Sequence, residues 1–187
     1  SYHSTITKTC SIVNATPTVT ASYEETNTTA KNVIGSNAAS YVIKGISQPK
    51  ITLTSSIKKE ATLSATKISD GTTTATSSPY TFTNPGSGSF SYEITDSRGK
   101  KASGSLSKTY IAYFKPSISS SAFSLKSIDD STVVLNAKAT YYNASLGFKT
   151  SNPITVKVLN SAGSTVKTLT SSEYSVSGNN LTITNLS

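Results

Sequence analysis

At 187 residues the chain has room for one large domain or two small ones, each with its own core. Hydrophobic residues are 35% of the chain and Ser plus Thr about a third, and no run reaches the ~18 apolar residues of a membrane helix. The net charge of +8 rests on sixteen Lys and one Arg. That balance argues against a nucleic-acid reader, which relies on bidentate guanidinium contacts.

Low hydrophobicity with few charges is also the signature of disorder. Here the apolar residues alternate with polar ones, and the ten Tyr and five Phe concentrate in the alternating runs. Alternation predicts thin β-sheets with hydroxyl-rich outer faces, which suit the β-branched but polar Thr. Dispersed Lys then reads as solubilising surface and strand-edge protection. The same positive field suits an anionic polymer such as a teichoic acid or a capsule.

Residues 1–16 read as the last strand of a preceding module plus a linker. The chain contains no Met and opens inside a strand pattern, so it is expected to belong to something longer. Ile6-Thr7-Lys8-Thr9-Cys10 runs on to Pro17-Thr18-Val19, and Leu106-Ser107-Lys108-Thr109-Tyr110 runs on to Pro116-Ser117-Ile118. Lys8 and Lys108 lie 100 positions apart, Pro17 and Pro116 99 apart. A strand and a proline joint repeated at that length predict tandem β-modules.

The first module is expected over 17–114. Thr18–Tyr23 alternates as an opening strand, and Glu24–Asn37 reads as a polar loop. Tyr41–Ile46 and Lys50–Thr54 are strands broken apart by Pro49. In Ala61–Ile68, Leu63 and Ile68 fall on opposite faces, which predicts a bulge or an end between them. Asp70-Gly71 is a turn signal. Phe90-Ser91-Tyr92-Glu93-Ile94-Thr95 is the clearest strand, with Phe90, Tyr92 and Ile94 on one face. Asp96-Ser97-Arg98-Gly99 follows as a tight turn, and the return strand is expected from Ala102 to Phe114.

The second module, 115–187, opens with a strand over Ile118–Ile128 and a long one over Thr132–Tyr142. Two hairpins follow, Ile154–Leu159 with Val166–Leu169, and Tyr174–Val176 with Leu181–Thr184. Six strands are one short of a seven-stranded sandwich. The missing strand is expected either beyond the sequence or from a neighbour. No helix longer than one turn is expected anywhere.

The residues point to no catalytic chemistry. His3 is the only histidine and Cys10 the only cysteine. They provide neither a zinc ligand set nor a Ser-His-Asp triad nor an internal disulfide. Cys10 stands where the repeat has Tyr110 and reads as an apolar filler. Glu24-Glu25 and Asp129-Asp130 read as solvated loop pairs. Adjacent strand acids face opposite ways, so neither suits glycoside hydrolysis. Asp129-Asp130-Ser131 lacks EF-hand spacing, and Gly86-Ser87-Gly88 lacks the features of a phosphate cradle. Glu93 is expected on the outer face near Lys100 or Lys108. Tyr141 and Tyr142 are candidate saccharide contacts, although a strand would turn one of them inward.

From Phe90 to Gly99 the chain resembles the modular structural proteins of tailed siphophages of Gram-positive bacteria, of the streptococcal and lactococcal type. In that family an aromatic-rich strand ends in Thr-Asp-Ser-Arg-Gly, here Thr95 to Gly99, and a Tyr-x-x-Pro-like joint opens the next module, here Tyr113-Phe114-Lys115-Pro116. Ala139-Thr140-Tyr141-Tyr142-Asn143-Ala144-Ser145-Leu146-Gly147 matches a further family phrase, and Asn152-Pro153-Ile154-Thr155-Val156 stands at a family strand. The resemblance covers most of 17–160.

The resemblance implies tandem immunoglobulin-like or fibronectin-like sandwiches in an extracellular virion component, a tail fibre or baseplate, without enzymatic activity or cofactors. Expected partners are other tail or baseplate proteins, further copies of the chain and host cell-surface polysaccharide, with neither nucleic acid nor membrane among them. The expected role is a semi-rigid spacer supporting host attachment. Direct binding to cell-wall saccharide and the stalk of a bacterial surface adhesin are the alternatives.

Overall fold

The computed structural model describes residues 5–7, 16–129 and 133–187. His3, Lys8, Cys10 and Asp130 lie outside them, as does most of the strand expected over 1–16. Thr5–Thr7 join no ladder, and Ile6 is exposed. The fold is all-β and antiparallel, and the chain divides into two compact units. One comprises Ser1–Val42 and Ile46–Tyr110, the other Ile43–Gly45 and Ile111–Ser187.

The first unit starts with β1 (Thr18–Glu25), α1 (Thr28–Ile34) and a 3-10 turn over Gly35–Ser40. The short strand β2 (Tyr41–Ile43) precedes β3 (Pro49–Ser56), β4 (Leu63–Ser69), β5 (Thr74–Ala75) and β6 (Tyr80–Thr81). A hairpin of β7 (Ser89–Asp96) and β8 (Lys101–Ser107) leads to β9 (Thr109–Ile111), which pairs with β2. One sheet has the order β1-β3-β6, the other β5-β4-β7-β8. They face each other across Val42, Ile51, Ile68, Ala75, Phe82 and Phe90, all buried. The rings of Phe82 and Phe90 stand 5.4 Å apart, and that of Tyr80 meets Phe82 edge-on at 4.9 Å. Each such large side chain contributes roughly 1.5–3 kcal/mol by leaving water.

The β7 stripe reads as its period requires. Phe90 and Ile94 are buried and Tyr92 is half-buried against them. The split pattern in β4 is resolved by a register shift against β7 between Leu63 and Ala65. Leu63 therefore faces solvent while Ile68 enters the core.

Where a loop is expected over Glu24–Asn37, the chain builds a two-turn helix. Asn27 caps it, its Oδ1 accepting the Ala30 N–H at 3.0 Å. Gly35 at φ 72° ends it, its N–H donating to the Lys31 carbonyl. Ala30 and Ile34, four apart, supply the buried face. Tertiary burial overrides the weak helix propensity of Thr, Asn and Val. Glu24 and Glu25 are also not a loop pair, since both close β1.

The second unit holds β10 (Ser117–Ile118), a 3-10 turn (Ser120–Ala122), β11 (Ser124–Ser127) and β12 (Val133–Thr140). It continues with β13 (Lys157–Leu159), β14 (Thr165–Thr168), β15 (Ser175–Ser177) and β16 (Asn180–Leu186). The opening strand expected over Ile118–Ile128 is thus split in two, because the 3-10 turn interrupts its pairing with β12. Seven short strands replace the six expected among the described residues. They form a five-stranded sheet, order β10-β12-β16-β15 with β11 also on β12, and the separate ladder β13-β14. Tyr141, Leu169, Leu181 and Ile183 are its buried centre.

Candidate functional site

The segment Tyr113-Phe114-Lys115-Pro116 runs free of secondary structure between β9 and β10. The Tyr113 and Phe114 rings are half-buried and meet Tyr142 edge-on, with centroids 6.0 and 5.9 Å away. Lys115 and Pro116 are exposed. Tyr141 and Tyr142 lie just past the end of β12, and only Tyr141 is fully buried. The two rings therefore form no paired platform, and Tyr142 alone keeps an accessible edge beside Tyr113 and Phe114. Three asparagines hold this stretch. Asn152 Nδ2 donates to the Tyr142 carbonyl at 2.7 Å, and Asn143 Nδ2 donates to that of Gly178 at 2.9 Å. Asn179 Oδ1 accepts the Asn143 N–H at 3.0 Å.

Asp96-Ser97-Arg98-Gly99 closes the β7–β8 hairpin. Asp96 Oδ1 accepts the N–H groups of Arg98 and Lys100, both at 2.9 Å. Its Oδ2 takes Nε and Nη2 of Arg98 at 3.1 and 2.6 Å. Burial by itself would raise the Asp96 carboxyl, but the Arg98 guanidinium and these two N–H groups outweigh it and hold the pKa below the usual range. Gly99 supplies φ 79°, and Ser97 exchanges two hydrogen bonds with Thr62, joining the turn to the start of β4.

Two further acids are buried in ways that local patterning does not reveal. Glu25, 3% exposed, accepts the N–H of Asn27 at 2.9 Å and of Gln48 at 2.8 Å through Oε1. It thereby ties the entry of α1 to the start of β3. Asp70 accepts the N–H groups of Thr72 and Thr73 through Oδ1, and that of Gly86 through Oδ2 at 3.2 Å. The Asp70-Gly71 turn signal was legible, but not its bond across to the Gly86 loop. Burial, and then the Glu25 carboxylate, push the Tyr23 phenol up. Its hydroxyl donates to the Tyr41 carbonyl at 2.9 Å while Lys108 Nζ sits 4.8 Å over the ring.

Glu93 points away from the Phe90 face, but its partner is Lys101, at 2.8 Å, and neither Lys100 nor Lys108. Antiparallel pairing sets Glu93 opposite Ser103, which brings Lys101 within diagonal reach on the same face. Among the described residues no three His, Cys, Asp or Glu side chains converge on one point, and no helix is long and apolar enough to cross a membrane.

The second unit holds a concavity among its described residues. An apolar cleft of about 980 Å³ opens between the five-stranded sheet and the β13–β14 ladder. Leu125, Leu135, Ile154, Val158, Val166 and Ile183 are among its walls. Leu125 and Val166 remain 64% and 66% exposed, more than a finished sandwich core allows.

The chain matches no protein-family model, no curated protein and no solved structure.

Proposed function

We propose that the chain is a non-enzymatic structural part of a siphophage tail fibre or baseplate, built of immunoglobulin-like or fibronectin-like β-units. It acts as an extracellular spacer that supports host attachment and works alongside other virion proteins. One observation carries the reading. The buried acids Glu25, Asp70 and Asp96 all accept backbone N–H groups, of their own turns and, for Glu25 and Asp70, of a second loop as well, so their chemistry goes into fixing loops. Support also comes from Asp96-Ser97-Arg98-Gly99 and Tyr113-Phe114-Lys115-Pro116, the phrases that resemble the phage family. Pro116 fixes its own φ and restricts that of Lys115.

Immunogold labelling of intact virions with an antibody to the chain tests the spacer reading. The expected result is label on the tails and no binding of the isolated chain to host cells. A saccharide-binding role rests on the accessible edge of Tyr142 beside Tyr113 and Phe114. Binding of the isolated chain to cell-wall glycan, lost in Tyr142→Ala, would decide for that role.

A further inference from the structure

Two hollows of the second unit meet at edge strand β10. One is the apolar cleft. Ile118, Phe123, Leu125, Val133, Leu159 and Val166 all line it, each 43–70% exposed. They are six of the eleven large apolar side chains that the described residues expose. Such side chains scattered singly need no explanation, but gathered in one concavity they mark a binding site. The volume of about 980 Å³ is that of a ligand cavity, for which ~300–1,000 Å³ is usual.

The other hollow, about 350 Å³, is lined by hydroxyl, amide and ammonium side chains. Lys138, Thr140, Asn180 and Thr182 alternate with Ala139 and Leu181, whose side chains pack in the unit's centre. Pairing of β12 with β16 sets Lys138 beside Thr182 and Thr140 beside Asn180, and β10 brings Ser117 to Thr140. No Asp or Glu lines either hollow, and β10, β11, β12, β15 and β16 contain none. In the first unit Lys50 and Lys101 meet Glu24 and Glu93, whereas among the described residues no ion pair engages Lys138.

Strand β10 is two residues long and stands between the hollows. Ile118 lines the cleft, Ser119 the smaller hollow, and Ser117, Lys138 and Thr140 line both. An apolar chain leaving the cleft past Ile118 therefore carries its end group to Lys138 without crossing the sheet.

We infer that the second unit binds a single-chain anionic lipid, with its acyl chain in the cleft and its phosphate at Lys138. A phosphate has acceptor oxygens enough for the ammonium, the hydroxyls of Ser117, Thr140 and Thr182, and the Asn180 amide together. A second copy of the chain would bring the same net charge of +8 against Lys138, whereas a phosphate opposes it. The inference stands on the two hollows, independently of any role in a virion.

Calorimetric titration of the 187-residue chain with oleoyl lysophosphatidic acid, kept below its micelle threshold, tests this. Saturable one-to-one binding is expected. Monooleoylglycerol, which has the same chain and no charge, is expected to bind roughly tenfold more weakly, and glycerol 3-phosphate to give no heat. Lys138→Ala, at an exposed position, is expected to weaken the charged lipid roughly tenfold and leave the neutral one unchanged. Val166→Asp, also exposed, is expected to abolish binding of both. Absence of saturable binding overturns the inference, as does equal affinity for the two lipids or an unchanged Lys138→Ala. Heat seen only with intact phospholipid vesicles overturns it too, since the lysines would then be meeting a membrane surface. So does sedimentation of a dimer that takes up no lipid, because a second copy would then fill the cleft.

Discussion

Asp96 and Arg98 lock the tip of the β7–β8 hairpin by closing on each other across a single intervening residue. The carboxylate receives both the backbone N–H of Arg98 and two nitrogens of its side chain. Asp96 is 1% exposed, so this clamp operates out of water. Asp96→Asn is expected to lower the thermal midpoint by several degrees, because an amide cannot accept all four bonds. Because the folded carboxyl titrates below its unfolded value, its contribution is present above the unfolded pKa and fades as pH falls through the folded one. Thermal melts from pH 7 down to pH 2 are expected to show a shallower acid slope in the variant.

Glu173 provides a second acid-side signature. The Lys167 ammonium, at 2.8 Å, and then the Thr170 N–H draw its pKa from the ordinary 4.5 to about 2. The sign is the same, with stabilisation complete above 4.5 and lost progressively as pH falls toward 2. Glu173→Gln is expected to lower the melting temperature near pH 7, where that stabilisation is fully present, and to converge with the parent chain as pH falls toward 2. An NMR titration of the Glu173 carboxyl checks the pKa itself.

Phe90 is fully buried where Tyr23 and Phe82 meet it. Phe90→Ala is expected to cost about 3–5 kcal/mol, through lost transfer energy and a cavity between two close-packed sheets. Urea unfolding followed by Tyr fluorescence measures it.

A Cβ at Gly88 would collide with the Lys108 carbonyl, which is backbone and cannot swing away. The two residues are also tied by the Lys108 N–H donating to the Gly88 carbonyl at 2.8 Å. Gly88→Ala is expected to destabilise the chain by roughly 1–3 kcal/mol, and amide exchange is expected to quicken at Lys108 before the centre of β7.

Tyr142→Ala removes two edge-on ring contacts, each worth about 0.5–1.5 kcal/mol. Faster amide exchange is expected over Ile111–Phe114, with the buried centre around Leu181 unaffected. Tyr141→Ala is expected to do the reverse, since Tyr141 belongs to that centre.

What could be read from the residues was local. Alternation at Phe90, Tyr92 and Ile94 names the buried face of β7, because side chains on a strand leave it alternately. Asp96 and Gly99 mark its turn, because one bonds the turn backbone and the other accepts positive φ. The mismatch of Leu63 and Ile68 likewise announces the irregularity in β4. Tertiary structure alone decided the rest. Helix α1 exists because the fold buries Ala30 and Ile34, although Thr and Val over 28–34 are weak helix formers. Glu25 is buried because Gln48, 23 positions on, brings an N–H to it, and no spacing within β1 records that approach. The open cleft is of the same kind. Ile154, Val156 and Val158 alternate like any covered strand, and only the fold shows that they pack against the centre formed by Tyr141, Leu169, Leu181 and Ile183. A side chain's period reports which way it points, whereas its burial depends on what the fold brings to meet it.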